Sequence, residues 1–241
     1  MRIDIITIFP EFFDIFTETS MIKKAIMQKY VEIQIINLRT YSQLKHQKVD
    51  DTPYGGGAGM LLAFPPLFEA IQDLKTEDTY VILLSPQGQV FDQKKAIDLS
   101  LKKHVILICG HYEGVDARIL DYVDLELSIG NYVLTGGEIP AMIVADAITR
   151  LIPGVLHEDS SQTDSLQKGL LKYPQYTKPE NYKDHCVPEI LLSGHHGNIN
   201  QWRLYESLKQ TYLKRPDLLK DINLDEAQIN LLKKIEDENV S

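Results

Sequence analysis

Three glycine-containing segments hold the residues that could bind a small molecule. They are residues 84–88 (LSPQG), 109–114 (CGHYEG) and 129–142 (IGNYVLTGGEIPAM). Each follows or ends a short apolar run, and glycine allows main-chain amides and carbonyls to approach a ligand with no Cβ in the way. Any one segment could be a tight turn, but three at successive strand ends would line one crevice. The pattern predicts a binding site built largely from main chain.

A fourth glycine segment covers residues 50–59 (DDTPYGGGAG). It is not a phosphate-binding P-loop, because no Gly-Lys-Ser/Thr follows it. It does not fit the Gly-x-Gly-x-x-Gly pattern either, since Gly55 and Gly57 would require glycine at position 60, where Met60 stands. Two interpretations stay open: a mobile loop, or a lid over an extended substrate.

The elements that must position these segments follow an alternating pattern. Short apolar runs rich in β-branched residues predict five strands, at residues 3–8, 31–38, 80–84, 105–109 and 123–129. Helical signals lie between them: Pro10 and Pro65-Pro66 suit first helical turns, and Asp92 can cap a helix running to about Lys102. The alternation predicts an α/β fold with a largely parallel sheet, whose ligands bind beyond the carboxyl ends of the strands.

The alternating pattern of apolar runs and helical signals ends after Leu156. A polar stretch follows, and then turn signals and two helical stretches near residues 201–213 and 225–236. We therefore predict an α/β domain over residues 1–157, a linker over residues 158–165 and a small, mostly helical C-terminal domain over residues 166–241.

Charge is distributed unevenly along the chain. The formal net charge of −9 argues against a nucleic-acid partner when taken globally. However, Lys and Arg concentrate in residues 21–48, 166–183 and 201–220, which predicts local positive surfaces, with ordinary solvated faces as the alternative.

Other features bound the class of protein. No apolar run approaches the length of a membrane span, and the first residues lack a small-residue cleavage site, so we expect a cytoplasmic protein without membrane contact. Cys109 ends an apolar run and is expected to be a buried free thiol. The spacing of His185-Cys186 and His195-His196 fits no closed zinc site.

Taken together with residues 49–60, 150–156 (RLIPGVL) and 191–195 (LLSGH), the glycine segments resemble one family. The chain is similar to the bacterial tRNA (guanine-N1)-methyltransferases of the TrmD type, which belong to the SPOUT class, from the first strand to about Pro216. Several motifs in the same order and at similar spacing are more specific than any single one. The resemblance implies a parallel sheet with helices and a deep trefoil knot, and a homodimer with its active site at the subunit interface. A knot is a rare exception to normal topology, so no local pattern could have indicated it.

The resemblance also implies an activity: S-adenosylmethionine-dependent methylation of N1 of the tRNA guanine immediately 3′ of the anticodon. It assigns the glycine segments to the methyl donor, which knotted loops hold in a bent conformation. The donor-binding residues that it implies are Leu84, Ser85, Pro86, Gly110, Tyr112, Glu113, Ile129, Gly130, Asn131, Tyr132, Val133, Leu134, Gly136, Gly137 and Pro140. Main-chain contacts to adenine would explain the glycines, so we expect Gly136→Val or Gly137→Val to abolish donor binding in a protein that stays folded.

Two residues differ from those that the family pattern leads us to expect. Asn131 stands where the pattern leads us to expect Asp, and Thr52 where some relatives carry Arg. The resemblance further implies a magnesium requirement, and gives Glu113 the role of orienting the donor or binding that ion, with a plain surface carboxylate as the alternative.

Methylation at N1 requires a base to remove the N1 proton while negative charge gathers on the oxygen at C6. A carboxylate and a cation suit these needs. The resemblance assigns them to Asp164 and to Arg150, at the end of the helix that follows Gly137. Structural roles remain open for both: Asp164 and Gln167 could form a helix capping box, and Arg150 could stabilise a helix C-terminus.

Contacts to tRNA are expected in two places. One is the glycine loop, at Asp50, Tyr54, Gly55 and Gly56. The other is a predicted helix on which Arg203 and Lys214 lie eleven residues apart, on a common side suited to phosphates.

Three rival functions stay open. They are a different knotted methyltransferase acting on a ribose 2′-hydroxyl or a ribosomal RNA base, an RNA-binding protein without catalysis, and a nucleotide-binding enzyme that uses the glycine loop on phosphates.

Overall fold

The computed structural model describes residues 1–156, 164–167, 169–220 and 222–240. The chain forms two compact units, Met1–Glu158 and Asp159–Ser241.

The first unit is built on a five-stranded parallel sheet of order β2-β1-β6-β5-β7. Its strands, with a short antiparallel ribbon of β3 and β4, are β1 (Arg2–Thr7), β2 (Glu32–Asn37), β3 (Asp50–Asp51), β4 (Leu61–Leu62), β5 (Thr79–Val90), β6 (His104–Cys109) and β7 (Leu125–Ser128). Each of the five predicted strands is present, so the predicted α/β class with a parallel sheet is confirmed.

Helices connect the strands and cover the sheet. They are α1 (Asp14–Glu18), α2 (Ser20–Met27), α3 (Phe64–Leu74), α4 (Gln93–Ser100) and α5 (Glu138–Thr149), with 3₁₀ turns at Pro10–Phe13, Leu38–Tyr41, Lys45–Gln47 and Ala117–Tyr122. The prolines stand in first turns as predicted, and Asp92 caps α4 by accepting a 2.8 Å hydrogen bond from the Lys95 amide.

Two apolar clusters enclose the sheet. Alternate residues of a strand face opposite sides, so Val105 and Leu107 of β6 join a cluster that includes residues of α5, while Ile106 and Ile108 join one that includes residues of α3. All six residues of β6 are buried, which is typical of a central parallel strand covered on both faces.

Strand β5 differs from the prediction that it ends at Leu84. Its pairing with β7 shifts between Leu84 and Gln89 and then continues to Val90, so residues 85–88 form a bulge inside the strand. A Cβ at Gly88 would overlap the main chain of Glu126 and Leu127, which is why the bulge needs glycine there.

The second unit contains two long helices, His196–Lys214 and Glu226–Val240, which match the two predicted helical stretches. It also contains a hairpin that the sequence pattern did not predict, formed by Asn181–Tyr182 and His185–Cys186, a short helix at Glu189–Leu192 and a 3₁₀ turn at Pro216–Lys220. Within the described residues, no helix is both long and apolar enough to cross a membrane.

Candidate functional site

A cavity of about 410 Å³ lies at the edge of the sheet where β6 and β7 end, beside the bulge of β5. The three glycine segments that the sequence singled out line it together, because neighbouring parallel strands end at the same edge of the sheet. Thirteen of the fifteen residues expected to bind the donor line this cavity: Leu84, Ser85, Pro86, Gly110, Tyr112, Glu113, Ile129, Tyr132, Val133, Leu134, Gly136, Gly137 and Pro140. Gly130 and Asn131 are not among its lining residues.

The segment after β7 crosses to the end of β6 at this edge. The Gly137 amide donates a 2.7 Å hydrogen bond to the Gly110 carbonyl, and Gly136 forms an isolated antiparallel bridge with His111. A Cβ at Gly137 would lie 2.6 Å from Cys109 Cα and 2.8 Å from the Gly110 nitrogen. Glycine is therefore required here because one stretch of main chain packs directly on another.

This contact bears on one expectation. A valine at position 137 would overlap main-chain atoms, and at position 136 it would overlap the Glu138 carboxylate and the His111 ring. The expectation that either variant stays folded remains a prediction, but we now expect both valines to destabilise the fold, because the main chain at position 137 and two side chains at position 136 must move to make room.

A buried glutamate anchors the same crossing. Glu138, the first residue of α5, is 3% exposed, and its Oε1 accepts a 2.9 Å hydrogen bond from Thr7 Oγ1. That hydroxyl oxygen also accepts a bond from the Phe9 amide (3.0 Å), so the start of α5 is tied to the end of β1. The sequence analysis missed Glu138; its signal was an acid directly after Gly-Gly, where a helix N-terminus favours negative charge.

The charge of the cavity is one-sided. Among the described residues that line it, Glu113 and Glu126 are charged and none is Lys or Arg. The Tyr112 amide donates a 2.9 Å hydrogen bond to His111 Nδ1. The wall therefore favours a ligand with positive charge over one carrying phosphates.

Below the cavity floor, burial raises the pKa of the Cys109 thiol well above its usual range, and the nearby Glu138 carboxylate adds to the effect. Cys109 is a buried free thiol, as predicted.

The glycine loop is held against the turn that carries Glu113. The Glu113 amide donates to the Met60 carbonyl (3.0 Å), and the Leu62 amide donates to the Gly114 carbonyl (2.9 Å). The four loop residues expected to meet tRNA differ in setting: Asp50 is half-buried in β3, Tyr54 is fully exposed, and a Cβ at Gly55 or Gly56 would meet nothing within 4 Å. The tip of the loop thus projects into solvent beside the cavity-lining turn.

Arg150 follows the last residue of α5, as expected, and is exposed. Its amide donates to the Asp146 carbonyl at 3.1 Å, so it completes the last helical turn.

Asp164 lies in the second unit, and it does not begin a helix. Residues 165–167 form a turn in which Leu166 has φ 70°, a conformation incompatible with an α-helix. The alternative of a capping box with Gln167 is therefore wrong. The Asp164 side chain is 29% exposed, and Lys172 Nζ lies 3.4 Å from its Oδ1.

Arg203 and Lys214 share one continuous helix. The Arg203 guanidinium carbon lies 4.9 Å from the centroid of the Tyr173 ring, and its Nε is buried without a hydrogen-bond partner. Lys214 is exposed in the last turn of the helix.

A parallel α/β sheet with a main-chain-lined cavity at its carboxyl edge defines the class of α/β proteins that bind a small molecule at that edge. A family model described as tRNA (Guanine-1)-methyltransferase TrmD matches residues 1–221. The chain is 60% identical over 239 residues to a tRNA (guanine-N(1)-)-methyltransferase of Aster yellows witches'-broom phytoplasma, covering 99% of both chains. It is 61% identical over 236 residues to the enzyme of that name from Acholeplasma laidlawii (98% and 97% covered), and 52% identical over 240 residues to that from Halalkalibacterium halodurans (98% of each). The chain therefore belongs to the tRNA (guanine-1)-methyltransferase family of enzymes.

Proposed function

We propose that this chain catalyses S-adenosylmethionine-dependent methylation of N1 of the guanine immediately 3′ of the anticodon in tRNA. The observation that carries the proposal is the cavity where β6 and β7 end, beside the bulge of β5. Its volume of about 410 Å³ lies within the range of roughly 300–1,000 Å³ that small-molecule sites occupy.

The composition of the cavity favours a sulfonium donor over a nucleotide phosphate. Glu113 and Glu126 are the charged residues among the described residues that line the cavity, so a cationic group would be attracted there and a phosphate repelled. This argues against the rival that uses the glycine loop on phosphates. The three segments that would hold the donor contain Leu84, Gly110 and Leu134. S-adenosylmethionine supplies an electrophilic methyl group when it is bound.

The chemistry requires the chain to move one proton. We assign the base to Asp164, which would accept the proton that guanine N1 loses, and we assign to Arg150 the stabilisation of negative charge on the C6 oxygen. Lys172 forms an ion pair with Asp164, so guanine must displace or share that contact.

Single-turnover kinetics test this assignment. Asp164→Ala should lose methyl transfer with little change in donor affinity, and Asp164→Asn should behave in the same way because an amide cannot accept the proton. Near-normal transfer by either variant contradicts the assignment.

The same proposal includes a trefoil knot. Two features support it: the 129–137 segment leaves the edge strand β7 and reaches the end of β6, and the 84–90 part of β5 pairs with β7 on both sides of its bulge. A knot would place these segments next to one another at one sheet edge, an arrangement that ordinary chain topology avoids.

We further propose a homodimer with the active site at the subunit interface. Exposed apolar side chains next to the cavity support this, with a second copy of the chain as their partner: Tyr132, Val133, Leu134, Ile139 and Ile143, of which Val133 is 82% exposed. Light scattering after size exclusion should give twice the mass of the 27.5 kDa chain, and Val133→Asp should shift it toward the monomer.

The second unit is proposed to be a mostly helical tRNA-binding domain joined by a linker, acting with Asp50, Tyr54, Gly55 and Gly56 of the glycine loop. Lys214 is placed for a phosphate contact, and Arg203 would act from its position over Tyr173. Arg203→Ala should weaken tRNA binding and reduce its salt dependence; an unchanged salt slope contradicts this role.

The proposed magnesium requirement is based on the family resemblance alone. In the part of the chain that the structure describes, no group of three or more His, Cys, Asp or Glu could hold a metal ion, and Glu113 is a single carboxylate at the cavity. Chelation of divalent ions in the methylation assay tests the requirement. The proposed location is the cytoplasm, where tRNA is available.

The decisive experiment is incubation with labelled S-adenosylmethionine and two tRNA transcripts, which carry or lack guanine 3′ of the anticodon. Label should enter only the first, and mass spectrometry should find it on N1 of that guanine. Label on a ribose, or on neither transcript, would favour the rival functions.

A further inference from the structure

The hairpin of the second unit has no packing role that explains its shape. Every residue from 175 to 186 is exposed, including both faces of the paired strands Asn181–Tyr182 and His185–Cys186. A two-stranded hairpin with both faces in water is marginally stable at best. Hydrogen bonding from the Val187 amide to the Glu180 carbonyl (2.8 Å) closes its base, so this segment is ordered at the protein surface rather than packed into it.

The turn of the hairpin is strained. Lys183 and Asp184 have φ of 50° and 67°, the left-handed region that a tight two-residue hairpin turn requires at both central positions. Asn-Gly or Asp-Gly normally fills such a turn, because glycine adopts positive φ without steric cost. Strain of this kind persists where a side chain serves a purpose, and here it keeps a lysine at the tip of the hairpin.

A ring and a cation stand side by side on this hairpin. Tyr182 pairs directly across the strands with His185, so their side chains share one face. Tyr182 is 61% exposed, and Lys183 Nζ lies 5.4 Å from the centroid of its ring. An exposed aromatic platform with an adjacent cation is the arrangement on which unpaired nucleobases stack while their phosphate is neutralised.

The composition favours RNA over a protein partner. Residues 175–186 (QYTKPENYKDHC) contain no Phe, Trp, Met or Arg, so apart from two tyrosines they lack the side chains that are enriched at protein interfaces. Glu180 and Asp184 offset Lys178 and Lys183, so the hairpin attracts RNA through stacking and one placed cation rather than through net charge.

We propose that the hairpin is a nucleotide-binding platform for the tRNA substrate, on which Tyr182 stacks on an unpaired base and Lys183 contacts an adjacent phosphate. This inference rests on the proposed function, and it adds a surface that the glycine loop and the long helix do not include.

Two glycine substitutions in the same turn separate the cation from the shape of the turn. Lys183→Gly and Asp184→Gly both relieve positive-φ strain, but only the first removes the cation. With an unmodified tRNA transcript as the probe, Lys183→Gly should reduce the slope of log affinity against log salt by about 0.7, the contribution of one phosphate on a single strand. Asp184→Gly keeps the cation and removes a carboxylate that offsets it, so neither the affinity nor the slope should fall.

The ring is tested separately. Tyr182→Ala should weaken tRNA binding by about 5- to 150-fold, the loss of one base–aromatic stack, whereas Tyr182→Phe keeps the ring and should stay within about 2-fold. Because Tyr182 is exposed, thermal unfolding and calorimetric donor affinity should match the parent chain in both variants.

The outcomes distinguish failure of the hairpin platform from failure of the proposed function on which it rests. If the parent chain binds tRNA and Tyr182→Ala binds it equally well, the platform is refuted while the proposed function stands. An equal loss in Asp184→Gly and Tyr182→Ala would refute the role of the ring and assign the effect to hairpin shape. A parent chain that binds neither donor nor tRNA would overturn both proposals.

Discussion

Gly137→Ala is the substitution that tests the crossing of the chain at the edge of the sheet. The added Cβ would lie 2.6 Å from Cys109 Cα and 2.8 Å from the Gly110 nitrogen, both main-chain neighbours that cannot rotate away. Gly137 has φ −83°, so alanine meets no conformational penalty there and the whole effect comes from the contact.

The size of the effect follows from two terms. Overpacking of this kind costs about 1–3 kcal/mol, and displacement of the 2.7 Å hydrogen bond from the Gly137 amide to the Gly110 carbonyl costs about 0.5–1.5 kcal/mol. We expect a loss of about 2–4 kcal/mol in the free energy of unfolding, which lowers Tm by about 5–15 °C for a chain of this size.

Thermal unfolding followed by circular dichroism measures this loss, with Gly197→Ala as the matched control. A Cβ at Gly197 would meet nothing within 4 Å, and this glycine lies in the helix His196–Lys214, where alanine is favoured by about 0.5–1 kcal/mol. Its Tm should be unchanged or higher. If Gly137→Ala instead keeps the Tm of the parent chain and loses only donor affinity, the glycine serves the ligand and our account of the crossing is refuted.

Three further predictions concern stability and reactivity. Burial and a hydrogen bond to Asp73 raise the pKa of Tyr41 to about 12 from its ordinary 10.0, so its contribution to stability is complete below pH 10 and is lost as pH rises from 10 through 12; Tyr41→Phe should flatten that part of the measured stability profile. An aromatic disulfide reagent should titrate one thiol in the folded protein, the exposed Cys186, and should reach the buried Cys109 only on unfolding; two thiols reacting at once would contradict the burial of Cys109. Asp92→Ala should cost about 1 kcal/mol through loss of the α4 cap, measured by denaturant unfolding, and Asp92→Asn should restore most of it.

Local patterns were sufficient to predict the frame of the first unit. Short runs rich in β-branched residues predicted all five strands, and β6, which is covered on both faces, is nearly continuously apolar. Because parallel strands end at one edge, the sequence predicted that the three glycine segments lie together. They do line one cavity, although residues 84–88 lie within β5 and do not follow it.

The site within that frame was harder to predict, because its details depend on residues far apart in the chain. Glu138 binds a hydroxyl on Thr7, 131 residues away, and no spacing rule connects them. The sequence around Asp164 fits a capping box and so predicts the start of a helix. The structure instead has a turn there, with positive φ at Leu166.

Short stretches of sequence were thus sufficient to predict the strands and the sheet edge at which the ligand site lies. The strands depend on hydrophobic periodicity, and the site depends on glycines that lack a Cβ. The reason for glycine at position 137, the bulge that extends β5 to Val90 and the strained hairpin at Lys183 and Asp184 depend on which backbone approaches which. These contacts form between segments that are distant in the sequence. A local pattern of residues therefore does not indicate which segment will lie about 3 Å away in the folded chain.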